Sequence, residues 1–188
     1  MTRIIIDLHA AEDPLQIVGK ARRKEFKLNS DAWLFHLSGI GLGAIIRDWR
    51  GAFKGATTMK EEGRCRPIEV EAEAVLMGIR EANIRELSPL IVESDCQVLI
   101  RKLSEGEEDW MELGVWCQEI WKLAEVNSRM SRIQVKWVFA PRSANGVAHW
   151  LAHSIGVWNN QIVWVDEPPN SLLYLLDGDL GRAPVGPV

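Results

Sequence analysis

Three acidic residues occupy contexts that favour chemistry, and together they offer oxygen ligands for a metal ion. Asp31 falls within the strand-like run FKLNSDAWLF, Glu71 lies in an amphipathic helical segment, and Asp95 follows the apolar run PLIVES. Aspartate is disfavoured inside strands, and the carboxyl ends of strands form the active-site edge of α/β sheets. Mg²⁺ and Mn²⁺ prefer oxygen ligands, and a pair of such ions can drive phosphodiester hydrolysis. Each acid also has a structural interpretation: a strand-end or turn residue for Asp31, a solvated helix flank for Glu71 and a helix N-cap for Asp95.

Glu71 has acidic neighbours at Glu69 and Glu73, and the helical period indicates which of the three glutamates faces the core. The apolar stripe of this segment contains five residues: Ile68, Ala72, Val75, Ile79 and Ala82. Glu71 lies roughly 60° from that stripe, Glu69 about 100° and Glu73 about 140°. Glu71 is therefore predicted to lean inward, at the border between core and solvent.

His149 and His153 are one helical turn apart in SANGVAHWLAHSI, beside an apolar stripe. A zinc-protease pair requires glutamate directly after the first histidine, and Trp150 stands there instead, which argues against that interpretation. The pair remains open to two interpretations: solvated histidines, or a histidine that replaces an acid used in catalysis. His153 is expected on a solvated helix face.

An α/β domain is predicted to position these residues. The element order is β-β-β-α-β-α-α-β-α, which implies a five-stranded mixed sheet, with three antiparallel strands first, flanked by helices. The stretch GIGLGA fits the dinucleotide motif G-x-G-x-x-A, but a strand follows it where that motif needs a helix. We therefore expect its glycines to let the strand pass close to other backbone.

Composition indicates a soluble intracellular protein, either nuclear or cytoplasmic. The net charge of −4 argues against avid electrostatic binding of nucleic acid, yet it does not exclude an enzyme with an acidic site. The three cysteines form no CxxC pair, and no apolar stretch approaches the roughly 18 residues of a membrane span. Three parts are predicted: an N-terminal arm (1–25), one domain (26–156) and a C-terminal tail (157–188).

Five motifs occur in the order and spacing of the ribonuclease H type-1 domain: KLNSDAW, GIGLGAIIRDWRG, EAEAVLMGIREA, VESDCQVLI and PRSANGVAHWLAHS. The sequence most resembles the plant reverse transcriptase-like form of this domain, which is related to non-LTR retrotransposon polyproteins. The resemblance covers residues 26–156. It implies a ribonuclease H-like fold and a metal-dependent endonuclease that hydrolyses the RNA strand of RNA–DNA hybrids, with two Mg²⁺ or Mn²⁺ ions as cofactors and the hybrid as partner of a monomer.

The resemblance also implies roles for individual residues. The first three acids of the family correspond to Asp31, Glu71 and Asp95, and the fourth corresponds to His149. All four are predicted to be catalytic and to hold the metal ions, with His149 as a weak ligand. Two further residues, in R-x-A-N positions, are expected either to cap and close a loop or to bind substrate: Arg142 and Asn145.

The sequence departs from the family in ways that leave other functions open. The glycine that usually follows the first acid is missing from SDAW, and the flexible histidine of bacterial members has no counterpart. The acidic stretch SEGEED stands where some bacterial members carry a basic handle, which should weaken binding of the hybrid. The alternatives are a domesticated nucleic-acid-binding module with weak or no catalysis, and an inert retroelement remnant.

Overall fold

A computed structural model describes residues 25–35, 39–63, 65–106, 112–154 and 161–179. Six strands form one mixed sheet in the spatial order β5-β4-β1-β2-β3-β6. The strands are β1 (Phe26–Phe35), β2 (Gly39–Asp48), β3 (Phe53–Glu62), β4 (Leu90–Ser94), β5 (Lys136–Phe139) and β6 (Ile162–Val165). The helices are α1 (Pro67–Ile84), α2 (Gln97–Glu105), α3 (Glu112–Ser131), α4 (Gly146–His153) and α5 (Asn170–Asp179).

The predicted mixed sheet is confirmed, but it has six strands where the sequence predicted five. β1, β2 and β3 are successive antiparallel neighbours, and β4 and β5 add in parallel beside β1. The sixth strand, β6, pairs antiparallel with the outer edge of β3. Its run IVWV is only four residues long and precedes a pair of prolines, and it falls in the predicted tail.

The described part of the predicted tail packs onto the domain. β6 covers the edge of β3, and α5 buries Leu172 and Leu176 against the same cluster as α4. These two leucines are four residues apart, which places them on one face of α5. Residues 1–24 of the predicted arm lie outside the described residues.

Two apolar clusters lie on opposite faces of the sheet. Side chains alternate along a strand, so Ile46 of β2 joins the cluster under α1 whereas Ile45 joins the cluster under α4. The first cluster is the larger and includes buried residues of α1, α2 and α3. The site described below lies where α1 and α4 approach β1 from these two faces.

The glycines of GIGLGA allow α4 to lie close to β2, as predicted. A Cβ atom on Gly41 would come 2.1 Å from the carbonyl oxygen of Ala152, and one on Gly43 would come 2.5 Å from that of Ala148. Such approaches leave no room for a side chain. These glycines thus serve helix–sheet packing, and no phosphate-binding turn forms there.

Helix α1 begins with proline at its first position, which has no N–H to leave unpaired. Just before it, the backbone N–H of Arg66 donates to Oε2 of Glu69 at 2.8 Å. No helix within the described ranges is long and apolar enough to cross a membrane.

Candidate active site

The structure brings Asp31, Glu71 and Asp95 together. One carboxylate oxygen from each residue lies within 4.8 Å of the corresponding atoms of the other two. Asp31 and Asp95 meet because β1 and β4 are parallel and their ladder ends at the pair Ser30 and Ser94. The next residue of each strand is therefore the acid, at the same edge of the sheet.

The structural interpretations of two of the acids are wrong. Asp31 is neither a strand-end nor a turn residue, because it pairs with Gly43 in the middle of the β1–β2 ladder. Asp95 does not cap α2, because Cys96 occupies the N-cap position of that helix.

The helical period also selects the right glutamate of α1 for this cluster. Glu71 lies beside Asp31 and Asp95, whereas Glu69 is hydrogen-bonded to Arg66. The neighbour of Glu73 is Glu61, whose charge and hydrogen bond add to burial in raising the pKa of Glu73 to about 7. The inward lean of Glu71 thus agrees with its position on the helical wheel.

Burial and mutual repulsion shape the electrostatics of the cluster. Burial, followed by the charges of Asp31 and Asp95, raises the pKa of Glu71 to about 9. Burial also raises the pKa of Asp31, which is only 3% exposed, and the hydrogen bond with His149 partly opposes that shift. Without a cation nearby, the cluster therefore holds at least one proton at neutral pH.

The donor set fits a hard divalent cation. It consists of oxygen atoms alone, which is the preference of Mg²⁺ and Mn²⁺. Within the described part of the chain, Oε2 of Glu71 is buried and has no hydrogen-bond partner. A buried carboxylate oxygen without a partner is costly, and a bound cation would remove that cost.

His149 lies at the rim of the cluster and contacts Asp31. Its Nδ1 atom is 2.6 Å from Oδ2 of Asp31 and its Nε2 atom is 3.3 Å from Nη2 of Arg142. Nη2 of Arg142 is equally close to Nδ1, at 3.2 Å, so this contact does not distinguish the two ring nitrogens. Because an ionised carboxylate only accepts, the proton of a neutral His149 ring lies on Nδ1, which donates to Oδ2 of Asp31. No ring nitrogen of His149 belongs to the set of converging ligand atoms.

His149 and His153 match two positions of β1. Asp31 and Trp33 are two residues apart on one face of the strand, a rise of about 6.7 Å, and the two histidines are four apart on α4, a rise of about 6 Å. The Trp33 and His153 rings consequently lie 3.9 Å apart between centroids, next to the contact of Asp31 with His149. His153 is half-buried, so its expected place on a solvated face is wrong.

The other two predicted site residues differ in environment. Asn145 is 1% exposed, and its Nδ2 atom donates to the backbone oxygen of Ser30 at 2.8 Å and to Oδ1 of Asp95 at 3.5 Å. Arg142 is exposed, and its charge opposes the rise in the pKa of Glu71. Asn145 thus ties the start of α4 to β1, while Arg142 remains available at the surface.

A cleft of about 220 Å³ opens over the carboxylates. Its lining comes from β1, α1, the residue after β4 and the loop before α4. The residues are Asp31, Ala32, Trp33, Leu34, Pro67, Val70, Glu71, Asp95 and Arg142. Trp33 belongs to none of the residue sets that the sequence singles out, although its position two residues after Asp31 in a strand places it on the same face.

Comparison with known proteins identifies the family of this chain. The sequence model of the reverse transcriptase-like family matches residues 29–155, and the chain belongs to this family. The plant and retrotransposon origin implied by the resemblance remains a prediction. Among curated proteins, none matches the sequence.

Solved structures with the same fold are ribonuclease H domains. The N-terminal RNase H domain of a Mycobacterium tuberculosis protein has a TM-score of 0.60 at 16% identity, over 69% of this chain and 91% of that one. The RNase H1 of Halobacterium salinarum has a TM-score of 0.57 at 14% identity, over 69% and 96%. LC11-RNase H1, solved in complex with an RNA/DNA hybrid, has a TM-score of 0.57 at 16% identity, over 69% and 94%. The chain therefore has the ribonuclease H fold.

Proposed function

We propose that this protein is a divalent-metal-dependent endonuclease that hydrolyses the RNA strand of RNA–DNA hybrids. The observation that carries the proposal is the convergence of Asp31, Glu71 and Asp95, just beyond the point where the parallel pairing of β1 with β4 ends. Membership in the reverse transcriptase-like family and the ribonuclease H fold support the same activity. The complex of LC11-RNase H1 with an RNA/DNA hybrid supports the substrate class.

The three carboxylates would hold one or two Mg²⁺ or Mn²⁺ ions. Ions held there would supply an activated water for attack and would neutralise charge on the phosphate. The residues of this chain would supply the rest: Glu71 would give up the proton that its raised pKa retains without a cation, and Asn145 would fix the start of α4 against Ser30 and Asp95. Arg142 offers a guanidinium at the rim of the cleft, suited to a phosphate oxygen.

His149 would act as a neutral substitute for a fourth acid. Its proton on Nδ1 satisfies Oδ2 of Asp31, so the buried carboxylate keeps a partner where a further acid would repel it. Serving as a ligand would require the ring to turn away from Asp31 and expose a nitrogen to the ion. Imidazole is a poor ligand for Mg²⁺ and a better one for Mn²⁺, which favours higher activity with Mn²⁺.

The remaining functional assignments follow from the same site. The protein would act as a soluble intracellular monomer and would distinguish RNA from DNA by contacts with 2′-hydroxyl groups. Because the chain is acidic overall, its electrostatic binding of the phosphate backbone would be weak and would take place near Arg142.

Cleavage of an end-labelled RNA–DNA hybrid, with Mg²⁺ and separately with Mn²⁺, tests the proposal. We expect cuts in the RNA strand alone, loss of activity in Asp95→Asn and Glu71→Gln, and retention of the fold in both. Glu73→Gln is the matched control, since Glu73 lies on the same helix outside the cluster. Wild-type activity in Asp95→Asn, or equal cutting of both strands, would contradict the assignment.

One observation favours the second candidate, a nucleic-acid-binding module that does not cut. Oδ2 of Asp31 is engaged by His149 and is thereby less available to an ion. Tight binding of the hybrid with no cleavage in either metal would establish this alternative. A protein that neither binds nor cleaves the hybrid would support the remaining alternative, an inert retroelement remnant.

A further inference from the structure

Trp33 places an aromatic ring in the same cleft as the carboxylates. It lies two residues after Asp31 on the same face of β1, and both residues line the cleft of about 220 Å³. The residue is 37% exposed. Exposing a tryptophan ring forgoes stabilisation from burial.

Two histidines hold the ring of Trp33 in place. His153 packs against it with 3.9 Å between ring centroids and an interplanar angle of 38°, and His149 packs against His153 with 3.8 Å between centroids. His153 is itself fixed, since its Nδ1 atom donates to the backbone oxygen of His149 at 2.8 Å. The Trp33 ring is therefore oriented before any ligand arrives, which lowers the entropy cost of stacking on it.

The chemistry of the cleft indicates what would lie on this ring. A site for cleaving phosphodiesters brings a nucleotide within reach, and aromatic rings bind nucleotides by stacking on the base. In a continuous duplex each base face is covered by its neighbours, so only an unpaired base offers a face. Stacking also suits a chain with a net charge of −4, because it does not depend on attracting phosphates.

We propose that Trp33 is a positioning residue that stacks on an unpaired nucleobase beside the cleaved phosphate. This role of Trp33 rests on the proposed function. It restricts the preferred substrates to hybrids that carry an unpaired nucleotide, either at an end or at a junction with a single strand. The carboxylates would act on the adjoining phosphodiester. The Trp33 ring, held by His153, would fix the position of that phosphodiester relative to the carboxylates.

The test measures binding by fluorescence anisotropy with Ca²⁺, so that turnover does not interfere. The probes are labelled hybrids of equal paired length. One is blunt, and others carry one unpaired adenosine at the 5′ or the 3′ end of the RNA. A matching set carries an abasic ribose in place of that adenosine. Wild type should bind one adenosine-ended hybrid about tenfold more tightly than its abasic counterpart. Trp33→Ala should lose that preference, and Trp33→Phe should retain part of it.

Trp49→Ala is the matched control. Trp49 is equally exposed, at 36%, but it lies in the turn after β2, whose last residue pairs with the first residue of β1, away from Asp31. It should keep the full preference. Circular dichroism and thermal unfolding should show that each variant folds.

Several results would overturn the proposal. They are an absence of preference in wild type, a preference that survives Trp33→Ala, and a loss of affinity in Trp33→Ala that is equal for all hybrids, as a purely structural role would give. A wild-type protein that binds no hybrid would contradict the proposed function and this inference together. A protein that shows the preference but never cuts would contradict the nuclease alone and support the role of Trp33.

Discussion

The Nδ1 atom of His149 lies 2.6 Å from the Oδ2 atom of Asp31, a buried carboxylate. This contact joins α4 to β1 at the centre of the candidate site. It supplies a hydrogen-bond donor to an acid whose other neighbours are the carboxylates of Glu71 and Asp95. Histidine at this position therefore stabilises the cluster without a cation, and an acid would stabilise it only with one.

His149→Asp should exchange stability for a stronger response to Mg²⁺. A fourth carboxylate removes the donor to Asp31, so the cation-free protein should unfold more easily, by on the order of 1–3 kcal/mol. The same change adds a hard anionic ligand and should lower the Mg²⁺ concentration for half-maximal cleavage by about tenfold. Thermal unfolding in EDTA and cleavage against Mg²⁺ concentration measure the two effects.

The control for this prediction is His153→Asp. It lies one turn further along α4, where it contacts Trp33 and not the carboxylates. The Mg²⁺ response should stay that of wild type. An unchanged Mg²⁺ response in His149→Asp as well would show that position 149 does not face the ion.

The cation-free protein should lose stability as pH rises. The pKa of Glu71 is raised from 4.5 to about 9, so between these values the folded state keeps a proton that the unfolded state releases. This stabilisation is complete below pH 4.5 and is lost progressively up to about pH 9. The expected loss in the free energy of unfolding is on the order of 4 kcal/mol between pH 5.5 and 8.5.

Denaturant unfolding in EDTA across that pH range measures the loss, and Mg²⁺ at pH 8.5 should reverse it by binding the deprotonated cluster. Glu71→Gln should flatten the dependence above about pH 7 and leave below it the part that Glu73 contributes. Glu73→Gln should flatten it only below about pH 7, because the pKa of Glu73 is raised to about 7. A dependence that Glu71→Gln leaves intact would place the titrating group elsewhere.

Arg142 and Asn145 should separate into a substrate-binding and a structural residue. Asn145→Ala removes a buried hydrogen bond to the oxygen of Ser30 and should cost about 1–3 kcal/mol of stability. Arg142→Ala should raise KM for the hybrid and barely change stability, since its side chain is exposed. Steady-state kinetics and denaturant unfolding of both variants test this division. A KM that rises in Asn145→Ala at full stability would assign substrate binding to that residue too.

Much of this site could be predicted because periodicity fixes direction. The helical wheel placed Glu71 inward, and a strand followed by Asp95 placed that acid at the active-site edge of a parallel sheet. The contacts of the histidines could not be predicted in this way. They depend on how α4 lies on β1. The distance along β1 from residue 31 to residue 33 is similar to the distance along α4 from residue 149 to residue 153, and no local sequence pattern encodes that similarity.

The sixth strand shows that prediction of the fold from the sequence has the same limit. β6 has four residues, and its alternation of half-buried and exposed side chains is too short to distinguish from a loop. What makes it a strand is the free edge of β3, a tertiary partner. The fold class therefore followed from the order of long elements, and the strand count required the assembled sheet.

The spacing of α4 from the sheet should depend on Gly43. A Cβ atom there would lie 2.5 Å from the oxygen of Ala148 and 2.5 Å from the nitrogen of Ala152, both backbone atoms that cannot rotate away. Gly43→Ala should therefore push α4 outward and cost about 1–3 kcal/mol, measured by denaturant unfolding. Because α4 carries His149, the shift should also lengthen its contact with Asp31 and weaken Trp33 stacking on His153.

Gly146→Ala provides the opposite expectation within the same helix. A Cβ atom at Gly146 meets nothing within 4 Å, and replacing glycine by alanine in a helix reduces the entropy lost on folding. This variant should be as stable as wild type or more stable by about 0.5 kcal/mol. Equal stability of Gly43→Ala and Gly146→Ala would mean that α4 does not rest on the backbone of β2, and the placement of both histidines would have to be revised.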